Sequence, residues 1–301
     1  MSHAPTIVTA AGGPTLSRIV AGAWRMDAWN FSVDERVRWI EGCLDLGITT
    51  FDHADIYGGY AVEALFGEAL AAAPHLRKRL QIVTKCGIRM VSPARPEHRL
   101  GHYDTSAAHV ERSVDNSLAA LRTDSLDVLL IHRPDALMDA DALAETFGRL
   151  RTAGKVRHFG VSNFTPSQFA LLNRRIALVT NQVEVSPLHL APFHDGTLDQ
   201  AQDLGIAPMI WSALAGGRLF TGSDADAQRA RSVLERIARE RGVSVTTLVY
   251  AWLLRHPARL IPLTGSRRLD AMREAVAALD VEIDAQTWYE IWVAGNGAPC
   301  P

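Results

Sequence analysis

Residues 106–163 read SAAHVERSVDNSLAALRTDSLDVLLIHRPDALMDADALAETFGRLRTAGKVRHFGVSN, and their pattern decides the fold. Two amphipathic stretches, SAAHVERSVDNSLAALR at 106–122 and DALAETFGRLRTAG at 141–154, alternate with two apolar runs, LDVLLIH at 126–132 and VRHFGVS at 156–162. A short, nearly unbroken apolar run bounded by turn residues fits a strand covered on both faces, and helical periodicity after it completes a βα unit. The alternation continues upstream. VDERVRWIEGCLDLG (33–47), with Val37, Ile40 and Leu44 at helical spacing, leads to ITTF (48–51), and VEALFGEALA (62–71) leads to LQIVTK (80–85). Downstream, PSQFALLNRR (166–175) leads to ALVTNQ (177–182), and TLDQAQDLG (197–205) to APMIWS (207–212). One long helical region, 227–255, leads to RLIPLT (259–264), followed by helices over 267–279 and 285–293. At the start, TIVTA (6–10) and LSRIVAGAW (16–24) flank AGGPT, which reads as a hairpin turn.

Eight strand–helix units without a composition break predict parallel strands joined by helical crossovers, closed on themselves. The expectation is an α/β fold, a single (β/α)8 TIM barrel with an N-terminal β-hairpin, occupying residues 1–301 as one domain. No Gly-rich GxGxxG follows an early strand, which argues against a Rossmann half.

Composition excludes several classes. The chain has 301 residues, 48% apolar and 21% charged, with a formal net charge of −2. It is too apolar for a disordered chain and lacks the charge bias of a nucleic-acid or membrane-surface binder. Cys43, Cys86 and Cys300 form neither a disulfide framework nor a zinc-ligand pattern, so the expected setting is reducing and cytoplasmic, with no metal. No signal peptide or apolar membrane span is visible. Lysine occurs only at 78, 85 and 155. A chain that otherwise writes Arg keeps Lys where it is neutral or where a titratable amine is required.

Barrel enzymes place their chemistry at the carboxyl ends of strands. Those ends carry Asp52, Lys85, His132, Ser162-Asn163, Gln182, Trp211-Ser212 and the Thr264-Gly265-Ser266 turn. Each has a plain alternative. Asp52 can cap a turn, Lys85 can be a solvated charge, and His132 can be a structural histidine. Asn163 precedes the capping box Thr165-Pro166-Ser167-Gln168, and Trp24 and Trp211 can be core. The functional reading rests on the set repeating at one structural position.

GITTFDHADIYGGYAVEALFGEAL, LQIVTKCG, LDVLLIHRPD, GKVRHFGVSNF and TNQVEVSPL occur in this order, and together they resemble the aldo/keto reductase superfamily over nearly the whole chain. The resemblance implies carbonyl reduction with NADP(H) by the catalytic set Asp52, Tyr57, Lys85 and His132. Tyr57 is the expected general acid, made more acidic by Lys85, which Asp52 holds; His132 is expected to orient the carbonyl. It further implies Ser162, Asn163 and Gln182 at the nicotinamide carboxamide, Trp211 against its ring, and Ser212, Leu214, Gly216 and Arg218 along the pyrophosphate. Gly265, Ser266, Arg267 and Arg268 fall at the adenosine 2′-phosphate. Trp24 is placed against both cofactor and substrate, and Trp29, Tyr57 and His132 against the substrate. Gly265, Ala271 and Ala275 stand where many members carry Lys, Arg and Asn, which leaves NADH open beside NADPH. The expected partner is a small carbonyl compound, with no nucleic acid and no membrane, and the chain is expected to be a monomer. The short tail NGAPCP implies an open pocket. Two other readings share the architecture: a Lys85 Schiff-base aldolase, and a nucleotide-sensing regulatory subunit.

Overall fold

The apolar runs become staves of a closed barrel. The computed structural model describes residues 3–299. After the hairpin β1 (Thr6–Val8) and β2 (Thr15–Ser17) comes the first stave, β3 (Val20–Gly22), followed by β4 (Thr50–Asp52) and β5 (Gln81–Cys86). A second hairpin, β6 (Ile88–Arg89) and β7 (His102–Tyr103), is inserted next. The remaining staves are β8 (Leu126–Ile131), β9 (Val156–Ser162), β10 (Leu178–Glu184), β11 (Met209–Trp211) and β12 (Ile261–Thr264). All eight pair in parallel in chain order, and β12 closes on β3 through Leu263↔Val20 and Thr264↔Ala21. This is the (β/α)8 barrel, with the N-terminal hairpin, that the alternation predicts.

Helices α1 (Val33–Asp45), α2 (Val62–Ala72), α3 (Ala107–Leu121), α4 (Ala140–Thr152), α5 (Pro166–Asn173) and α6 (Thr197–Asp203) fill the outer ring between successive staves. Side-chain caps fix several starts: Ser32 forms a capping box with Glu35, and Thr165 forms one with Gln168.

Two predicted boundaries differ. LSRIVAGAW, read as one run, splits into β2 and β3. The Ser17 side chain donates to Ile19 O (2.6 Å) and its backbone N–H to Thr50 Oγ1 (2.9 Å), so the chain turns from hairpin into barrel there. The long helical region 227–255 becomes two helices, α8 (Ala225–Arg241) and α9 (Val245–Leu254), preceded by a short α7 (Arg218–Thr221) that lies outside it. Gly242 at φ 66° ends α8 and Ser244 caps α9 through Thr247 N, two local signals that override the continuous periodicity. Helices α10 (Leu269–Ala277) and α11 (Ala285–Asn296) complete the shell.

The ends of the barrel differ in purpose. At the amino end, Asp127 on β8 accepts from Ile82 N on β5 (2.8 Å) and pairs with Arg77 (3.3 Å) and with Arg157 on β9 (3.0 Å), so a buried carboxylate ties three staves together. The carboxyl end carries the groups described next. Among the described residues no helix is long and apolar enough to cross a membrane, and no group of three or more His, Cys, Asp or Glu side chains is arranged to hold a metal ion.

Candidate active site

Strand alternation sorts the side chains. Successive residues of a strand point to opposite faces. Phe51 packs outward on Trp39 (5.7 Å between ring centres) and Phe66 (5.4 Å), so Asp52 points into the barrel. His53 turns outward again onto Phe66 (4.5 Å), where burial and the Lys85 charge lower its pKa to about 3 and keep it neutral. On β5, Thr84 faces α2 and donates to Glu63 (2.6 Å), so Lys85 faces inward.

Lys85 Nζ reaches both oxygens of Asp52 (2.8 and 2.7 Å), the carbonyl of His53 (2.8 Å) and the hydroxyl of Tyr57 (3.0 Å). Gln182, on the opposite side of the barrel, donates to Asp52 Oδ1 at 2.7 Å. Lys85 and Asp52 are both buried. Burial alone would lower the lysine's pKa, but the Asp52 carboxylate and the Tyr57 oxygen outweigh it and hold it above its ordinary value. The amine is therefore kept protonated, opposite to the deprotonated nucleophile that a Schiff-base aldolase requires.

Tyr57 lies in a short helical turn, Tyr57–Gly59, directly after the β4 loop. The sequence reading expects Lys85 to make this phenol more acidic. Lys85 does pull in that direction, yet burial is the larger influence and the phenol ends above its ordinary value. His132 follows β8 and its backbone N–H donates to Cys86 O (2.9 Å). Its ring sits 5.9 Å from that of Tyr57 at 78°. Burial, then Lys85 and Arg133, hold His132 well below the ordinary histidine pKa, and its buried Nδ1 has no hydrogen-bond partner among the described residues. A neutral imidazole still donates one N–H.

Asp52, Tyr57 and His132 open onto a cavity of about 830 Å³ at the carboxyl end. Its wall includes Trp24, Ser162, Asn163, Gln182, Trp211, Ser212, Leu214, Gly216, Gly265, Ser266 and Arg268, all positions singled out from the sequence. Lys85 lies beneath this wall. Ser162 Oγ donates to Gln182 O (2.8 Å), Asn163 Nδ2 donates to Ser162 Oγ (2.7 Å), and Trp211 Nε1 donates to Asn163 Oδ1 (3.1 Å). This wiring fixes the flat indole beside the two amides. Ser212 and Ala215 hold left-handed backbone at φ 53° and 52°, a region ordinary side chains avoid and one that persists where surroundings enforce it, often at ligand clamps. Gly216 and Gly217, at φ 64° and 102°, supply the turn that follows.

Besides Lys85, three predicted positions are not on this wall. Trp29 is buried between Phe31 (5.6 Å) and Trp39 (5.0 Å), so its ring is core and not a substrate contact. Arg218 opens α7 and pairs with Asp224 at 2.9 Å. Arg267 is exposed on the turn before α10. Of the departures from the family, Gly265 and Ala271 line the wall, whereas Ala275 is fully buried. Cys300 and the final residue of the tail lie outside the described residues. The wall also holds Arg25, Ile56, Ile88, Met90, Arg133 and Tyr250, which strand-end reading missed. Ile88 and Met90 arrive on and beside the inserted hairpin. Arg133 had a readable signal, its position next to His132.

Behind Thr84 lies a second cavity, about 530 Å³, walled in part by Asp55 and Glu63. Burial pushes Glu63 up from 4.5 to about 7, although hydrogen bonds from Thr84 and Ser117 pull the other way. The folded chain thus keeps a proton that the unfolded chain releases. That contribution to stability is full below about pH 4.5 and is lost as pH rises through 7. Glu63→Gln is expected to gain stability over the parent between about pH 5 and pH 8, on the order of 3 kcal/mol. Urea unfolding at both pH values checks it, and an equal difference at the two refutes it.

The sequence model described as "Aldo/keto reductase family" matches residues 18–293. The chain is 52% identical over 298 residues to "Oxidoreductase YdhF" of Escherichia coli, covering 98% of this chain and 99% of that one. It is 46% identical over 285 residues to a "6-dehydroglucose reductase" of Agrobacterium fabrum, covering 94% and 95%. Among solved structures, a glycerol dehydrogenase from Gluconobacter oxydans superposes with TM-score 0.82 at 25% identity, covering 100% of this chain and 97% of that one.

Proposed function

The chain belongs to the aldo/keto reductase family, and from that premise we propose that it reduces an aldehyde or ketone to the alcohol with NADPH as reductant. One observation carries the reading: a protonated Lys85 bonded at once to Asp52 and to the Tyr57 hydroxyl, beside a neutral His132, under an open cavity.

The donor set suits a nicotinamide. Asn163 Nδ2 retains a second N–H for an amide oxygen, and Gln182 Oε1, which accepts no bond among the described residues, can take an amide N–H. Trp211 offers a flat face. At the far end of the cavity, α10 begins without a side-chain cap, with Ser266 and Arg268 at its start. Unsatisfied helix N–H groups beside a guanidinium fit a phosphate.

A bound reduced nicotinamide supplies a hydride to the carbonyl carbon. The chain's own residues handle the oxygen. His132 donates a hydrogen bond that orients the carbonyl and steadies the charge growing on it. Tyr57 gives its proton to that oxygen. Its raised proton affinity keeps the phenol protonated, and so able to donate, through neutral pH. Lys85, 3.0 Å away, then stabilises the phenolate left behind, and Asp52 keeps the ammonium in place.

Titrating the protein's tryptophan fluorescence with each dinucleotide tests the reading. NADPH is expected to bind more tightly than NADH, with NADPH oxidation on addition of an aromatic aldehyde. Arg268→Ala is expected to weaken NADPH by about tenfold and NADH much less. Equal affinities in the parent protein would sink the NADPH assignment.

A further inference from the structure

We propose that Arg133 reads an anionic group on the substrate, so that the preferred compound is an oxo acid: a carbonyl joined by a short hydrocarbon linker to a carboxylate. The proposal rests on the reductase reading above and adds the substrate's chemical class to it.

Arg133 follows His132 directly and lines the same cavity. Its guanidinium carbon sits 5.5 Å from the centre of the Trp211 ring. Its charge is felt by Tyr57 and by His132, lowering the proton affinity of each. These observations place the cation at the reacting end of the cavity.

There it has no acid to pair with. Other guanidiniums that are at least partly buried have hydrogen-bond partners. Arg36 holds Glu68 (2.8 Å), Arg77 holds Asp127 (3.3 Å) and Arg89 holds Asp104 (3.0 Å), while Arg18, Arg95 and Arg231 donate to backbone carbonyls. Arg133 makes neither a hydrogen bond nor a salt bridge with any described residue, only its contact with the Trp211 ring. The acid nearest in sequence, Asp135, is turned away. One of its oxygens accepts from Thr105 N and Oγ1 (3.0 and 2.8 Å), and the other from Leu137 N (2.9 Å). The acids on the cavity wall are Asp52, committed to Lys85 and Gln182, and Glu274, out on α10. Arg25 is differently placed: it stacks on Trp24 (4.8 Å) and leans on Gly216 O (3.5 Å), beside the loop assigned to the pyrophosphate.

A half-buried cation without a counter-charge is unfavourable unless something arrives to pair with it. The guanidinium fork matches a carboxylate, offering two parallel N–H donors. The wall around it supplies Ile56, Ile88 and Met90, apolar surfaces suited to a hydrocarbon linker.

The test compares each acid with its methyl ester, which keeps the shape and removes the charge. Succinic semialdehyde and carboxybenzaldehyde are assayed against their esters, in the parent protein and in Arg133→Met and Arg133→Lys. The parent is expected to favour each acid by about tenfold or more in kcat/KM, mainly through KM. Arg133→Met is expected to bring the acid-to-ester ratio near one, and Arg133→Lys to keep part of it. Any general effect of the charge on Tyr57 cancels in this ratio, because acid and ester use the same phenol. A parent ratio near one, or a ratio that survives Arg133→Met, overturns the proposal. Fluorescence titration with benzoate and with benzamide reads the same site without turnover. Benzoate is expected to bind the parent protein more tightly than benzamide and to lose that advantage in Arg133→Met; equal binding in the parent overturns the proposal even if the Met variant does not fold. If no carbonyl compound is reduced, the reductase reading falls, and the benzoate comparison still decides the anion site.

Discussion

Tyr57→Phe is expected to lower carbonyl reduction by about 10²- to 10⁴-fold, the range removed with a positioned general acid, while dinucleotide affinity stays within a factor of about two. The substitution deletes one oxygen and keeps the ring. That oxygen meets Lys85 Nζ at 3.0 Å and lies on none of the bonds linking Ser162, Asn163, Gln182 and Trp211. Stopped-flow oxidation of bound NADPH gives the chemical step, and a fluorescence titration gives the affinity. Ordinary turnover by the Phe variant would show that the proton comes from another group, and lost affinity would show that the hydroxyl belongs to the cofactor site.

Lys85→Met is expected to cost about 3–5 kcal/mol of stability and to abolish measurable turnover. Lys85 Nζ and both Asp52 oxygens form a buried pair, and removing one member strands a buried charge, which is the costly way to break such a pair. Adding Asp52→Asn to Lys85→Met is expected to recover much of the stability, because the charge left behind is gone. It is not expected to recover turnover, because the ammonium that stabilises the phenolate is still missing. Urea unfolding and NADPH oxidation on the single and double variants separate the two effects. A single variant that unfolds at the parent's midpoint would show that the pair contributes little to folding, and active double variants would remove Lys85 from the chemistry.

Several particulars were legible before any coordinates. The apolar run LDVLLIH both named a stave and pointed to His132 at its end, because a strand buried on two faces has an unmistakable composition and a barrel brings every strand's end to one mouth. The rarity of lysine marked Lys85. The boundary inside 227–255 was written there too, as Gly242 and Ser244, but apolar periodicity ran through it and masked the break. Trp29 misled for the opposite reason. A tryptophan near the mouth in sequence reads the same whether its ring faces the cavity or Trp39, and only packing chooses.

The chain's local pattern alone therefore determined the alternation of elements, the closure into a barrel and the list of polar groups at strand ends, since periodicity and turn chemistry are properties of neighbours along the chain. Electrostatic outcome was decided by the tertiary structure. Whether Tyr57 is made more or less acidic depends on burial set against the charge of Lys85, and whether Arg133 is paired depends on where Asp135 turns. Both are sums over groups distant in sequence, and such a sum has no value until the fold fixes the distances.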